Sequence, residues 1–255
     1  VSCKRLNSVQ FFDTLRSALA LSTKNEAFIF IHGYNNSFTD AALRTAQLFY
    51  DLKYEGIPVL YSWPSKGGTA DYLYDAAQAT SSVRLFQTFI TDIAVKNKGK
   101  KINIIAHSMG NRVLTKALSD LPKTHPDIKF NHIIMAAPDV YTDDFKNNDM
   151  QGVLASCKEV TLYASSNDIA LQMSNKIHSN IPRLGLGGDQ LFVMSPIVTI
   201  DITKQDCGDF MKHTCFAQSK PVIDDLSSLL KGSAILNRKA ISTRKLKQQY
   251  FILNN

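Results

Sequence analysis

The chain has 255 residues, 44% of them hydrophobic and 20% charged, and carries a net charge of +7. That length allows one large domain or two small ones, and the apolar content excludes a disordered or low-complexity chain. No apolar run approaches the roughly 18 residues of a membrane span, and internal repeats are absent.

The periodicity alternates helix and strand along the chain. Ser8 to Leu21 carries Val9, Phe12, Leu15 and Leu19 at helical spacing. Ala27 to Ile31 is a short continuous apolar run, the pattern of a strand buried on both faces. Thr39 to Leu52 reads as a helix, Ile57 to Tyr61 as a strand, and Lys66 to Thr69 as a loop. Asp71 to Val95 is a long amphipathic helical stretch with one expected break. Residues 102–106 form a strand and 109–120 a helix. Strands follow at His132 to Met135, Val160 to Tyr163 and Ile197 to Ile202, the last one expected. Pro221 to Leu230 reads as the final core helix. Strands separated by helices predict an α/β fold: a mostly parallel central sheet with right-handed crossovers, flanked by helices.

The most informative segment is Ile104-Ile105-Ala106-His107-Ser108-Met109-Gly110. A strand ending in a serine between small residues two positions either side, with a helix following at once, is a nucleophile elbow. Ala106 replaces the more usual glycine there. Such a turn lifts the Ser108 hydroxyl off the sheet and aims a helix N-terminus at it, which favours negative charge developing nearby. Roughly 75 residues earlier, His32-Gly33-Tyr34-Asn35 follows the first strand. A His-Gly turn there is suited to supply a second backbone donor. The expected oxyanion donors are the N–H groups of Tyr34 and Met109.

With these two turns, the chain resembles the α/β-hydrolase superfamily and, within it, a bacterial family of esterase/lipase-type hydrolases of poorly defined function. The matching segments are F-I-H-G-Y-N, Y-S-W-P-S-K-G, I-A-H-S-M-G-N-R, A-A-P-D-V, L-Y-A-S-S-N-D-I-A-L and H-T-C-F. They span roughly residues 27–232. The resemblance implies a single hydrolase domain over residues 1–236 with a minimal cap. Only about 25 residues precede the first clear strand, so the two strands that open many such sheets are expected to be missing. It also implies the chain order Ser, acid, His. Asp168 follows the later strand and fits S-S-x-D, whereas Asp139 is the alternative acid and otherwise an N-cap in D-V-Y-T-D-D. Of six histidines, His32, His107, His125 and His132 precede Asp168. His178 follows it too closely and reads as a surface residue, leaving His213 of H-T-C-F as the base. His32 is expected to hold the oxyanion turn and His107 to pack. A Ser108–His213–Asp168 triad implies acyl transfer to water without a metal or organic cofactor.

The implied function is therefore a serine hydrolase acting on small-molecule or lipid carboxylic esters. A non-catalytic scaffold on the same fold, an acyltransferase or thioesterase, and a peptidase are the alternatives. Segments 63–75, with Trp63, Tyr72 and Tyr74, 139–152 and 171–192 are the candidate pocket rims. R-L-G-L-G-G-D, with Gly185, Gly187 and Gly188, lacks the phosphate-loop pattern. The segment 237–255 carries Arg238, Lys239, Arg244, Lys245 and Lys247 without an acid, most of the net charge. It reads as a basic tail or terminal helix, one candidate contact with an anionic membrane through Leu246, Tyr250, Phe251, Ile252 and Leu253. No motif supports nucleic-acid binding. Cys3, Cys157, Cys207 and Cys215 match no metal spacing. Free thiols are the expectation for all four, although Cys207 and Cys215 are near enough to meet in one loop. Val1 to Leu6 lacks the apolar core of a signal peptide, so a soluble protein is expected, cytoplasmic or secreted after processing.

Overall fold

The structure is a computed structural model that describes residues 4–68, 70–238, 241–245 and 249–254. Cys3, Thr69, Lys239, Leu246 and Lys247, named above, lie outside them.

Each central strand presents alternate residues to opposite faces, and both faces are apolar. In β1 (Glu26–Ile31), Ala27, Ile29 and Ile31 enter one core while Phe28 and Phe30 enter the other. Both faces must therefore be covered. The first core is closed by α1 (Ser8–Leu21), and the second by α2 (Phe38–Asp51). The chain then runs through β2 (Ile57–Tyr61), α3 (Tyr72–Lys96), β3 (Lys101–His107) and α4 (Gly110–Ser119). The long helix α3 is continuous, without the expected break, because Ala79, Phe86, Ile90 and Ile93 keep one unbroken buried stripe.

The short α5 (Leu121–Thr124) leads into β4 (Phe130–Ala136). Next come α6 (Thr142–Asp144), a π-helical turn at 145–149 and α7 (Met150–Ala155), then β5 (Cys157–Ala164) and α8 (Ile169–Ile177). The parallel series ends with β6 (Val198–Asp201), α9 (Cys215–Gln218) and α10 (Lys220–Leu230). Helices α3, α4 and α7 share the first core with α1, while α9 and α10 share the second with α2. Full burial of side chains such as Phe28 and Phe30 stabilises by about 1.5–3 kcal/mol each.

The C-terminal segment departs from expectation. The described residues of the segment 237–255 form neither a free basic tail nor an α-helix. Ile241–Lys245 (β7) and Gln249–Leu253 (β8) are an antiparallel hairpin, and β8 pairs in parallel with β6. Strand β6 is thus not the last. The described sheet has the order β2-β1-β3-β4-β5-β6-β8-β7. Phe251 and Leu253 are buried in the second core, so the alternation of Y-F-I-L is a strand signal. Arg238 is buried too, 3.3 Å from Asp225, which also accepts the Tyr163 hydroxyl at 2.5 Å. Replacing Arg238 by alanine would strand a buried carboxylate, at a cost of about 3–5 kcal/mol. Calorimetry on Arg238→Ala should show a melting temperature about 10 °C lower; an unchanged midpoint would show the pair to be unimportant.

Before β1, the described residues contain the helix α1 and no strand. No described helix is long and apolar enough to cross a membrane. Cys207 and Cys215 form a disulfide rather than free thiols, and Cys157 is free.

Candidate active site

In a parallel sheet, the loops leaving the carboxyl ends of the strands share one edge, and sites form there. The ends of β1, β3, β4, β5 and β6 bring together His32 to Asn36, Ser108, Asp139, Asp168 and the loop 202–213.

Ser108 sits at φ +52°, the left-handed region a strained elbow requires. Its N–H donates to Ala136 O at 3.0 Å, and its carbonyl accepts the N–H of Asn111 and of Asp139. The Asn111 side-chain amide bonds Ala106 O and Ser108 O, so the turn is held from inside. Gly110 has no alternative, because a β-carbon there would lie 2.5 Å from His32 O. The two loops therefore touch. A β-carbon on Gly33 would likewise lie 2.8 Å from Ser108 Cβ. The His-Gly turn thus abuts the serine. Met109 directly precedes α4, in the stretch where backbone N–H groups lack intrahelical acceptors.

The turn is locked by His32 and by residues of the loop after β2 and of α3. His32 Nδ1–H donates to Gly33 O at 2.9 Å, which leaves Nε2 to accept the Ser62 hydroxyl at 3.1 Å. Trp63 stacks on His32 and donates its indole N–H to His32 O at 2.8 Å. Trp63 is buried packing, not a pocket rim. The buried Asp75 carboxylate accepts from Asn35 N–H, the Ser65 hydroxyl and Lys66 N–H. This accounts for Y-S-W-P-S-K-G physically: it is the brace of the His-Gly turn. Asp75 lies within the amphipathic stretch 71–95, where no motif singles it out.

His213 Nδ1–H donates to Asp168 Oδ2 at 2.7 Å. A carboxylate can only accept, so this bond fixes the tautomer and leaves Nε2 with its lone pair. Asp168 is itself held, since its Oδ1 caps α8 by accepting Leu171 N–H at 2.9 Å. Burial pulls the His213 pKa down, but the adjacent Asp168 carboxylate overcomes this and leaves it above the ordinary histidine value. His107 lies against His213, with ring centroids 4.6 Å apart, and donates its Nε2–H to His213 O at 3.0 Å. Burial, with the neighbouring His213, pushes the His107 pKa well down, so this ring stays neutral. The loop carrying His213 is closed by the Cys207–Cys215 disulfide and capped by Asp209, which accepts His213 N–H and Thr214 N–H. Composition and spacing offered no signal for Asp209.

Ser108 and His213 line one cavity of about 620 Å³ with Tyr34. Among the described residues no hydrogen bond joins Ser108 Oγ to His213 Nε2, and apo geometry of this kind is often loose. An apolar side of the cavity comes from Leu171, Met173 and Ile177 of α8 with Phe210 and Met211. A polar side is built by Tyr72, Asp139 and Ser174. Asp139 is no N-cap. It is a buried acceptor for Arg112, Tyr72 and Ser174, with Arg183 Nε 3.4 Å away. His178 is half-buried against Tyr72 and Tyr141 rather than a free surface residue.

A family model described as "Alpha/beta hydrolase of unknown function (DUF900)" matches residues 8–232, and the chain belongs to that family. No curated protein sequence matches it. Similar solved structures include an esterase from Pyrococcus furiosus, at 14% identity over 83% of this chain and 84% of that one, with a TM-score of 0.46. A lipase-esterase related protein from Clostridium acetobutylicum ATCC 824 shares 12% identity over 82% and 94% of the two chains, with a TM-score of 0.42. Phospholipase PlaB from Legionella pneumophila shares 11% identity over 90% of this chain and 69% of that one, with a TM-score of 0.41.

Proposed function

We propose that this α/β-hydrolase is a serine hydrolase that cleaves carboxylic esters through an acyl-enzyme. The single observation carrying the reading is the Asp168–His213 bond. It leaves an unprotonated Nε2 on a ring that shares a cavity with a serine in strained elbow geometry.

In this reading His213 Nε2 takes the Ser108 proton as Oγ attacks the ester carbonyl. The oxyanion that forms accepts the N–H groups of Tyr34 and Met109. The alcohol leaves with the proton from His213, and a water then repeats the sequence on the acyl-enzyme. Asp168 holds the ring in place and stabilises the imidazolium. The oxyanion donors are backbone groups fixed in advance, and each such donor contributes roughly 3–4 kcal/mol of barrier lowering. Every step uses groups of this chain and water alone. A scaffold without activity would have no need for a strained serine and a buried, oriented imidazole beside it.

The test is release of p-nitrophenol from p-nitrophenyl butyrate by the purified protein. Turnover well above the buffer rate supports the reading, and none from a folded sample contradicts it.

The pH dependence follows from His213. The active form carries a neutral ring, so kcat/KM should fall as pH drops through the pKa of the free enzyme. Because Asp168 raises that pKa, the midpoint should lie above the 6.5 of an unperturbed imidazole. His107 titrates far lower and should leave no second inflection between pH 6 and 8. A profile whose acid limb has its midpoint below 6 would contradict the assignment of His213.

A further inference from the structure

The polar side of the cavity holds more than a hydrolase needs to cleave a plain alkyl ester. Asp139 N–H bonds Ser108 O at 3.2 Å, so this cluster begins at the elbow itself. Tyr72 Oη lies 2.7 Å from Asp139 Oδ2, Ser174 Oγ lies 2.6 Å from Asp139 Oδ1, and the two hydroxyl oxygens are 2.8 Å apart. Three close oxygen pairs therefore meet, with two hydroxyl hydrogens to share between them.

The protonation states leave no spare hydrogen. Burial pushes the Asp139 carboxyl up, but Arg112 and Arg183 beside it hold it below the usual carboxylate range, so it is ionised. Burial and Asp139 raise the Tyr72 pKa, so the phenol keeps its proton. Bonds to a carboxylate are the stronger ones, and they claim both hydroxyl hydrogens. Arg112 Nη2 donates to Tyr72 Oη at 2.6 Å and occupies another side of that oxygen. Ser174 Oγ then faces Tyr72 lone pair to lone pair, with unused acceptor capacity. It is 4% exposed and lines the cavity. That oxygen donates to Asp139 and keeps a lone pair that a ligand hydrogen can meet. An ester oxygen or a hydrocarbon chain cannot supply the hydrogen, whereas an alcohol hydroxyl can.

We infer that the Tyr72–Asp139–Ser174 wall is a subsite for a free hydroxyl group on the substrate, so that the preferred esters are hydroxylated ones. The inference rests on the serine-hydrolase reading above and specifies its substrate class. The hydroxyl can belong to the alcohol part, as in a partial ester of a polyol, or to the acyl part, as in a hydroxyacyl ester. In either case its hydrogen is donated to Ser174 Oγ while the scissile carbonyl lies at Ser108. The apolar side, ending in the exposed Phe210, Met173 and Ile177, takes the hydrocarbon remainder.

The test compares kcat/KM within two matched pairs: glycerol monobutyrate against propyl butyrate, and methyl 3-hydroxybutyrate against methyl butyrate. Sites that hydrogen-bond a substrate hydroxyl discriminate strongly against the analogue lacking it. At least a tenfold preference for the hydroxylated member is expected in one pair, and that pair tells which part carries the group. In Ser174→Ala and in Tyr72→Phe the preference should shrink at least fivefold. General loss of structure would lower both members together and leave the ratio alone. A wild-type ratio near or below one in both pairs overturns the inference while leaving the hydrolase reading standing, and so does an unchanged ratio in both variants. Labelling of Ser108 by a fluorophosphonate without turnover of either hydroxylated ester also overturns it. No turnover together with no labelling overturns the hydrolase reading, and the inference falls with it.

Discussion

Ser108→Ala is expected to reduce ester hydrolysis by about a million-fold, the scale on which serine hydrolases lose kcat when the nucleophile is removed. The substitution deletes one oxygen and keeps the β-carbon that meets Gly33. Alanine at φ +52° is strained much as serine is, and the Asn111 side-chain bonds that brace the turn go to backbone oxygens, not to the lost hydroxyl. Stability should therefore change little, and the melting temperature should stay within about 2 °C of the wild type. Steady-state rates and a calorimetric scan on the same preparation separate the two effects. A variant that keeps a tenth of the wild-type rate on p-nitrophenyl butyrate would remove Ser108 from the reaction.

Asp168→Asn should cost about ten-thousand-fold in kcat while preserving the fold. Asp168 has two tasks, and asparagine keeps only one. Its Oδ1 caps α8 through Leu171 N–H, and asparagine caps helices as well as aspartate does. Its Oδ2 accepts from His213 Nδ1, and there the amide loses both the charge and the second acceptor. With the amide NH₂ facing His213, the ring is driven to the other tautomer and Nε2 carries the proton where a lone pair is needed. The variant should also shift the acid limb of the pH profile downward, because the carboxylate that raises the His213 pKa is gone. A loss of less than about tenfold would mean that Asp168 does not orient the base.

Much of the architecture was legible because both faces of the sheet are buried. Ala27 to Ile31, Ile57 to Tyr61 and residues 102–106 announce themselves as apolar runs, and each became a strand within a residue of its expected limits. The C-terminal hairpin was not legible, because the segment 237–255 carries five cations and only alternate residues of β8 face the core. Charge dominated the reading, although Arg238 is sunk beside Asp225. The disulfide was equally hidden. A spacing of eight residues permits a bridge but does not demand one, and the fold of the loop from Gln205 to Thr214 decides it.

At the site, local grammar placed Ser108, Gly33 and Gly110, since tight turns leave small residues few alternatives. Asp168 and His213 lie 45 residues apart, and their hydrogen bond agrees with an ordering argument about chain sequence. What sequence could not show was the support around them. Asp75 and Arg112 sit on amphipathic helices where a charged residue looks like solvent-facing surface, and Ser174 is one serine among many. Their partners come from the loops of Ser65 and Asp139 and from Tyr72 at the start of α3, and they meet only when the strand ends converge.

The most direct measurement is reaction of the purified wild-type protein with a fluorophosphonate, followed by mass mapping of the adduct. The probe needs an activated serine and an oxyanion site, and it is indifferent to the natural substrate. A single adduct on Ser108 that is lost in His213→Ala is expected. A folded protein that stays unlabelled, or that labels at another serine, would contradict it.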